Sequence, residues 1–496
     1  MNKLVDVLVV GAGVMGVGIA QVAAQAGHRV FLLDAREGAA AQAKQKLGEQ
    51  LSALAAQGRM TVDVAASIVE RVQVVQALDQ ARSAGLVVEA IVERLDAKRA
   101  LLQELEAALP PDAILATNTS SISVTAIAAG LNRPERLVGM HFFNPVPLMK
   151  LVEVVSGLRT DPTLAAQVEG LARSWGKTPV HARSTPGFIV NRIARPFYAE
   201  TLALLQERAS APEVLDACLR SAGFRMGPCE LMDLIGHDTN FAVTRTVFEA
   251  NFGDRRFTPS LVQRELVDGG LLGRKSGQGF YRYPEGAPAL VPATARSIGI
   301  DFPLTVHGVG QSADALYAAA LAAFPALELR RQTHSGWTGL QSGAAQLRIT
   351  DGRTAHELAE EFGIAEVAVM DLLPASGKVV AFAAAGSDEW QSQAESWLVC
   401  MGYEPQRVSD SPGLVVARTL AMLVNEAADA VLQGVCTTAG VDAAMKLGVN
   451  YPAGPFEWLA ALGVDQVRSV IESLDRCYRG ERYRISPRLQ RGEAKA

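Results

Sequence analysis

The chain has 496 residues, 20% of them charged and 49% hydrophobic, with a formal net charge of -5. That balance excludes general disorder and, with no long basic run, a nucleic-acid footprint, so an anionic ligand must be met by local donors. The five cysteines (Cys218, Cys229, Cys400, Cys436 and Cys477) include no close pair and predict neither a metal motif nor a disulfide framework.

In chain order, "VDVLVVGAGVMGVGIAQVAAQAGHRVFLLD" reads as strand, glycine turn, helix and strand. Residues 5–10, interrupted only by Asp6, form the apolar run of a parallel strand buried on both faces. The uncharged stretch 8–27 imitates a membrane or signal segment, but its glycines and glutamines interrupt it, and a cytoplasmic protein with no membrane span is expected. Gly11, Gly13 and Gly16 make a G-x-G-x-x-G, with Val14 and Met15 opening the helix. The first glycine suits a tight turn, the second a close approach of backbone to pyrophosphate, and the third the packing of helix on strand. Phosphates would then lie at a helix N-terminus. The motif alone also fits a purely structural turn, but here Asp34 follows about 20 residues on, where a carboxylate bonds a ribose 2′-hydroxyl. NAD is expected over NADP, with Arg36 as the residue that could tolerate a 2′-phosphate instead.

Further strands are expected at 72–75, 86–91, 113–116, 137–143 and 151–155, with helices over 39–57 and 94–109. Alternating strands and helices predict a doubly wound, Rossmann-type sheet over residues 1–185. Within it, "HFFNPVPLMKLVEVV" (141–155) places His141 and Glu153 on either side of a turn stiffened by Pro145 and Pro147. His141 would accept a hydroxyl proton, and Glu153 would fix its tautomer and stabilise the imidazolium. Spacing alone does not choose between that pair and a structural histidine near a surface glutamate. "TNTSS" (117–121) follows another strand, where its hydroxyls and amide could bond a substrate oxygen, though composition alone favours an ordinary polar loop; the plain alternative for Asn191 is a helix-start residue with local bonding only.

After "STPGFIVNR" the texture turns helical, predicting an all-α domain over 186–284. "YRYPEGAPALVPATARS" is a Pro/Ala-rich connector, and residues 300–404 return to weak strand-helix alternation, a degenerate α/β segment. A second all-α copy is expected over 405–486. "STPGFIVNRIARPFYAETL" (184–202) aligns with "DSPGLVVARTLAMLVNEAA" (410–428), placing Glu200 on Glu426, and "GPCELMDLIGHD" (227–238) matches "GPFEWLAALGVD" (454–465). In that copy Ala417 stands where Asn191 does, "HGVGQSA" is a decayed glycine fingerprint, and no second "HFFNP" precedes it. One active site per chain is expected, with the second copy covering apolar surface on the first.

Residues 1–284 closely resemble the L-3-hydroxyacyl-CoA dehydrogenase family, through "GAGVMGVGIA", "EAIVERLDAK", "NTSSISVTAIA", "GMHFFNPVPLMKLVEVV", "TPGFIVNR" and "LGRKSGQGFY" in order. The resemblance implies an acyl-CoA substrate, with His141 as base, Glu153 as its partner, and Ser120 and Asn191 as donors near the substrate oxygen. It implies NAD contacts from Asp34, Glu93, Lys98, Ser120, Asn144 and Lys275. Gln50 and Gln57 stand where animal members carry a serine and a lysine that touch CoA, so that contact must differ. The extended form resembles members acting in bacterial phenylacetate catabolism, which implies 3-hydroxyadipyl-CoA, with 3-hydroxybutyryl-CoA as the close alternative. Gulonate-type sugar-acid dehydrogenases share the fold but carry a different histidine loop, and a non-catalytic NAD-binding scaffold would not need all four catalytic positions filled. A homo-oligomer is compatible with the family, whose dimers pair through helical domains.

Overall fold

The computed structural model describes residues 4–295, 300 and 303–492. They divide into two compact units, Met1–Arg192 with Ala430–Val449, and Ile193–Asp429 with Asn450–Ala496. Among the described residues no helix is long and apolar enough to cross a membrane.

The first unit is built on an eight-stranded sheet: β1 (Asp6–Val10), β2 (Val30–Leu33), β3 (Val72–Val74), β4 (Ala84–Glu89), β5 (Ile114–Thr117), β6 (Leu137–Phe142), β7 (Leu151–Ser156) and β8 (Thr178–Arg183). Its order is β3-β2-β1-β4-β5-β6-β7-β8. All ladders are parallel except β6–β7, because the short turn after His141 sends the chain straight back. The apolar runs become strands for the expected reason: Val7, Leu8, Val9, Val87 and Val88 are fully buried between helices on both faces. β8 carries no such signal. Its "TPVHAR" alternates exposed and covered residues and includes Pro179, the marks of an edge strand. Helices α1 (Val14–Gln25) and α2 (Ala39–Ala56) follow β1 and β2.

The second unit begins with helices α3 (Arg195–Gln206) and α4 (Pro212–Ser221). Beyond the connector lies a seven-stranded mixed sheet: β9 (Leu304–His307), β10 (Leu329–Gln332), β11 (Gly339–Ser342), β12 (Ala345–Ile349), β13 (Val367–Met370), β14 (Val379–Ala385) and β15 (Glu404–Arg407). The order is β10-β9-β11-β12-β13-β14-β15. β9 leads through Gly308 and Gly310 into helix α5 (Gln311–Ala323), so the decayed glycine stretch still turns a strand into a helix. Helix α6 (Val416–Leu432) opens the second helical copy, and α7 (Thr438–Gly448) follows it. α7 lies among the residues of the first unit.

The internal repeat extends to backbone conformation. Gly187 and Phe188 have φ of 75° and 47°, and Gly413 and Leu414 have φ of 68° and 50°. A bulky residue at positive φ is strained, so its recurrence at matching positions marks one turn kept twice.

Where the second copy meets the first inside the second unit, buried ion pairs accompany an apolar contact in which Phe197 and Phe224 of the first copy pack against Tyr451 and Trp458 of the second. Glu200 of the first copy accepts from Arg418 at 2.7 Å and from Arg482 at 3.0 Å. Its counterpart Glu426 accepts from Arg256 at 2.9 Å. Arg256 and Arg482 themselves occupy matching one-turn segments, Arg255–Phe257 and Glu481–Tyr483. Each copy therefore gives its glutamate to the other's arginine, the reciprocity of an isologous interface within one chain.

Glu200, Arg418, Glu426 and Arg256 are nearly inaccessible to solvent. Burial opposes ionisation of Glu200, but Arg482 and Arg418 outweigh it and hold the carboxyl below its ordinary range. Its contribution to stability should thus be complete above about pH 5 and be lost as pH falls through the folded-state value. Glu200→Gln should cost about 3–5 kcal/mol, because buried Arg418 loses its nearer carboxylate and keeps only Glu207, 3.6 Å away. The double change Glu200→Leu with Arg418→Met should recover most of that in urea unfolding. An unshifted midpoint for Glu200→Gln would remove the network from the stability account.

Candidate active site

The antiparallel register of β6 and β7 puts His141 directly opposite Glu153. Twelve residues of sequence separation collapse to a hydrogen bond of 2.6 Å between His141 Nδ1 and Glu153 Oε2. A carboxylate oxygen only accepts, so Nδ1 carries a proton, and in the neutral imidazole Nε2 keeps its lone pair. The second carboxylate oxygen, Oε1, accepts from the backbone N–H of Ile189 at 3.1 Å and of Val190 at 2.9 Å. Glu153 is fully buried and His141 nearly so. The rings of Phe143 and Phe188 lie 4.5 and 5.8 Å from the imidazole.

The turn between the two strands is held by its neighbours. Asn144–Pro145 is a cis peptide. Lys177, just before β8, donates to the carbonyls of Val146 and, at 2.7 Å, Met149. Gly18 of α1 meets the turn's far side, where an added Cβ would lie 2.7 Å from that of Val146. Upstream, Asn118 Oδ1 accepts from the Phe142 N–H at 2.8 Å, tying "TNTSS" to the histidine strand. The sequence carried no signal for Lys177; the amide of Asn118 was expected to face substrate, whereas its oxygen is taken by the histidine strand.

Ser120 sits in the loop after β5, with its N–H 2.9 Å and its hydroxyl 3.3 Å from Glu93 Oε1. Glu93 also accepts from Thr119 at 2.7 Å and the Ser121 N–H at 3.1 Å. Burial opposes its ionisation, yet Lys98 and these donors hold its carboxyl below the usual range. Lys98 is buried between Glu93 at 3.2 Å and Glu89 at 2.7 Å. Two residues expected to touch cofactor thus order the Ser120 loop, with Glu89, a fully buried carboxylate, behind them. Asn191 Nδ2 reaches the Ser120 carbonyl at 3.4 Å. His141, Glu153, Ser120 and Asn191 are therefore brought together by one bonded framework.

At the other expected site the fit to a dinucleotide rests on the glycines. Gly11 has φ +108°, and a Cβ there would lie 2.5 Å from the Ala90 carbonyl oxygen; one on Gly16 would collide with the Gly11 carbonyl oxygen at 1.7 Å. A Cβ on Gly13 would meet open space, the side from which a phosphate approaches. Asp34 Oδ2 accepts from the Ala12 N–H at 2.8 Å, and Arg36 bonds Oδ1 through its N–H at 2.9 Å. Burial raises the Asp34 carboxyl, but Arg36 and those N–H groups outweigh it and leave it lowered. Arg36 is thus already engaged by the carboxylate it might have replaced. A groove of about 830 Å³ continues from Gly13 and Val14 past Asn144 along α2, lined by Arg36, Lys46, Gln50 and Arg59. Gln57 ends α2 and does not line it. Lys275 belongs to the second unit and is ion-paired with Asp238. Among the described residues no cluster of histidine, cysteine or acidic groups is placed to hold a metal.

Comparison with known families matches residues 6–185 to the 3-hydroxyacyl-CoA dehydrogenase NAD-binding domain. The same family's C-terminal domain matches twice, over 187–283 and 413–493. The chain belongs to the 3-hydroxyacyl-CoA dehydrogenase family. It is 43% identical to the 3-hydroxyadipyl-CoA dehydrogenase of Escherichia coli K12 over 98% of this chain and 96% of that one. Over 57% of this chain and 99% of the relative, it is 41% identical to a probable 3-hydroxybutyryl-CoA dehydrogenase of Bacillus subtilis. The crystal structure of 3-hydroxybutyryl-CoA dehydrogenase from Escherichia coli K12 superposes with a TM-score of 0.89 at 42% identity, covering 99% of this chain and 98% of that one. Residues 347–412 match the reduced Rossmann-fold domain of 3-hydroxybutyryl-CoA dehydrogenase.

That reduced domain corrects one sequence expectation for this dehydrogenase. An equivalent of the histidine segment does precede the second copy: "MDLLP" (370–374) follows β13 as "HFFNP" completes β6, and "KVVA" (378–381) opens β14 as "KLVE" opens β7. Asp371 stands at the place of His141, and Ala381 at that of Glu153. Asp371 now accepts from the N–H groups of Val415, Val416 and Ala417 at 2.7–2.9 Å. A carboxylate still caps the turn after the Pro-Gly step, but it arrives from the neighbouring strand and no imidazole remains.

Lys177 gives a pH test of the dehydrogenase's turn. Burial pushes its ammonium down to about 8, so the folded state resists a proton that the unfolded chain still binds up to about pH 10.4. Stability of the wild type should therefore rise between pH 8 and 10 relative to Lys177→Met, which lacks the group. Parallel urea midpoints across that interval would contradict the assignment.

Proposed function

We propose that this dehydrogenase oxidises an L-3-hydroxyacyl-CoA to the 3-oxoacyl-CoA with NAD, and that 3-hydroxyadipyl-CoA is its preferred substrate. The observation that carries the reading is the Glu153–His141 pair, which leaves Nε2 as the only acceptor the imidazole can present. As the C3–H bond breaks toward the nicotinamide, the hydroxyl proton passes to Nε2, and the C–O single bond becomes a carbonyl. Glu153 stabilises the resulting imidazolium, and Ser120 and Asn191 lie where they can donate to the substrate oxygen. Gly11, Gly13, Val14, Met15 and Gly16 would cradle the pyrophosphate, Asp34 would bond the adenosine ribose, and Asn144 would border the nicotinamide end. NAD held there supplies the hydride acceptor. Glu93 and Lys98 would act on the cofactor through the Ser120 loop, and Lys46, Gln50 and Arg59 offer polar contacts for CoA in place of the usual pair.

The preference for the adipyl chain rests on the full-length Escherichia coli relative named for that substrate; the structural relative named for 3-hydroxybutyryl-CoA keeps the shorter chain as the second reading. Comparing kcat/KM on the two thioesters decides, with the adipyl form expected to be higher and equal or reversed values giving the shorter chain.

His141→Ala should lose about 10²- to 10⁴-fold in kcat with NADH affinity nearly unchanged. Glu153→Gln should impair the same step. Near-normal turnover in both would refute the proton route. Asp34→Ala should weaken NAD and narrow its advantage over NADP, since the carboxylate both bonds a hydroxyl and repels a phosphate. A wild-type enzyme faster with NADP would reverse that assignment.

A further inference from the structure

The turn between α6 and α7, and α7 itself, come from the second helical copy but lie against the catalytic side of the first sheet. The Arg183 N–H on edge strand β8 donates to the Val435 carbonyl at 2.8 Å. Arg192, next in sequence to Asn191 and almost fully buried, donates through Nη1 to Gln433 Oε1 at 2.8 Å. At the far end of α7, a Cβ on Gly448 would lie 2.6 Å from Leu151 Cδ2 and 3.0 Å from Val190 Cγ2, with the Phe143 ring at 3.8 Å. Leu151 opens the Glu153 strand, the Val190 N–H bonds Glu153, and Phe143 packs on His141.

The repeat supplies a control for the Gln433 contact. Arg418 matches Arg192 and Glu207 matches Gln433, and in the second unit those two counterparts also face each other, at 3.6 Å. An arginine one residue past the Asn191 position thus meets an acceptor from the opposite copy on both sides. The acceptor is a carboxylate at the degenerate centre and a neutral amide at the centre that holds His141 and Glu153.

We propose that Gln433 is a positioning residue of the active site: by holding Arg192 it fixes the helix start that carries Asn191 and the N–H groups bound to Glu153. The second helical copy then contributes to turnover through a specific side chain, without touching substrate. The inference rests on the dehydrogenase reading given above, and both are tested on the full chain with 3-hydroxybutyryl-CoA and NAD.

Gln433→Leu keeps the side chain's size and removes its acceptor; Gln433→Glu keeps an acceptor, with the Glu207–Arg418 pair as precedent. Gln433→Leu should lower kcat about tenfold, within the range a slightly misplaced contact produces, with KM for NAD and the thermal midpoint little changed. Gln433→Glu should recover most of the lost kcat. Wild-type kcat in Gln433→Leu would overturn the inference while leaving the dehydrogenase reading intact, provided His141→Ala is inactive. A fall in Gln433→Leu that tracks a lowered thermal midpoint, or one that Gln433→Glu does not relieve, would equally overturn it. Absence of turnover in the wild-type chain would sink both.

Discussion

The first unit depends on how one buried carboxylate divides its two oxygens. Glu153 gives Oε2 to His141 and Oε1 to two backbone N–H groups at the start of the segment carrying Asn191. A buried carboxylate is tolerable only when its acceptors are filled, and here the groups that fill them are the parts of the candidate site. The same bonds that make Glu153 affordable in a dry core set the tautomer of His141 and the placement of Asn191. Phe188, at positive φ, supports the turn that aims those N–H groups. Strain there is offset by the hydrogen bonds it permits.

The chain repeats that device and lets its chemistry lapse. In the second unit Asp371 fills the same capping role from the strand where His141 would stand, and Ala381 replaces the glutamate. A carboxylate on either strand satisfies the helix start, so the cap survives substitution that the proton route does not. Selection on packing alone would preserve what remains: the Pro-Gly turn, Glu426 and its arginine, and a strand-turn-helix at Gly308 and Gly310 without a counterpart to Asp34. Reciprocal glutamate–arginine pairs explain why a copy without its own dyad is retained. Glu200 and Glu426 each need the other copy's arginine, since a lone buried charge costs several kcal/mol.

Legibility in the sequence followed the range of the interactions. Strands β1, β2 and β4 to β7 were readable because both-face burial writes an apolar run, edge strand β3 from its valines despite the exposed Gln73, and the glycine turn because Gly11 and Gly16 have no room for a Cβ. His141 and Glu153 were readable as candidates, while their contact was not, since it depends on the β6–β7 register and not on a spacing of twelve. β8 stayed hidden because an edge strand with exposed alternate residues writes no run. Lys177 and Glu89 stayed hidden because their partners are distant in sequence, the turn carbonyls of Val146 and Met149 for the first and Lys98 and Thr117 for the second. The family resemblance supplied roles for Glu93 and Lys98 without revealing that both bear on the loop of Ser120. The second histidine-position segment was missed because "MDLLP" shares only a methionine and a proline with "MHFFNP", and the likeness appears once β13 and β14 align as β6 and β7 do.

The chain carries the helical domain twice and the His141–Glu153 pair once. Calorimetric titration of the full-length protein with NADH tests the single active site most directly. One molecule bound per chain, with binding weakened by Asp34→Ala, is the predicted result. Two molecules per chain, or one that is indifferent to Asp34, would contradict it.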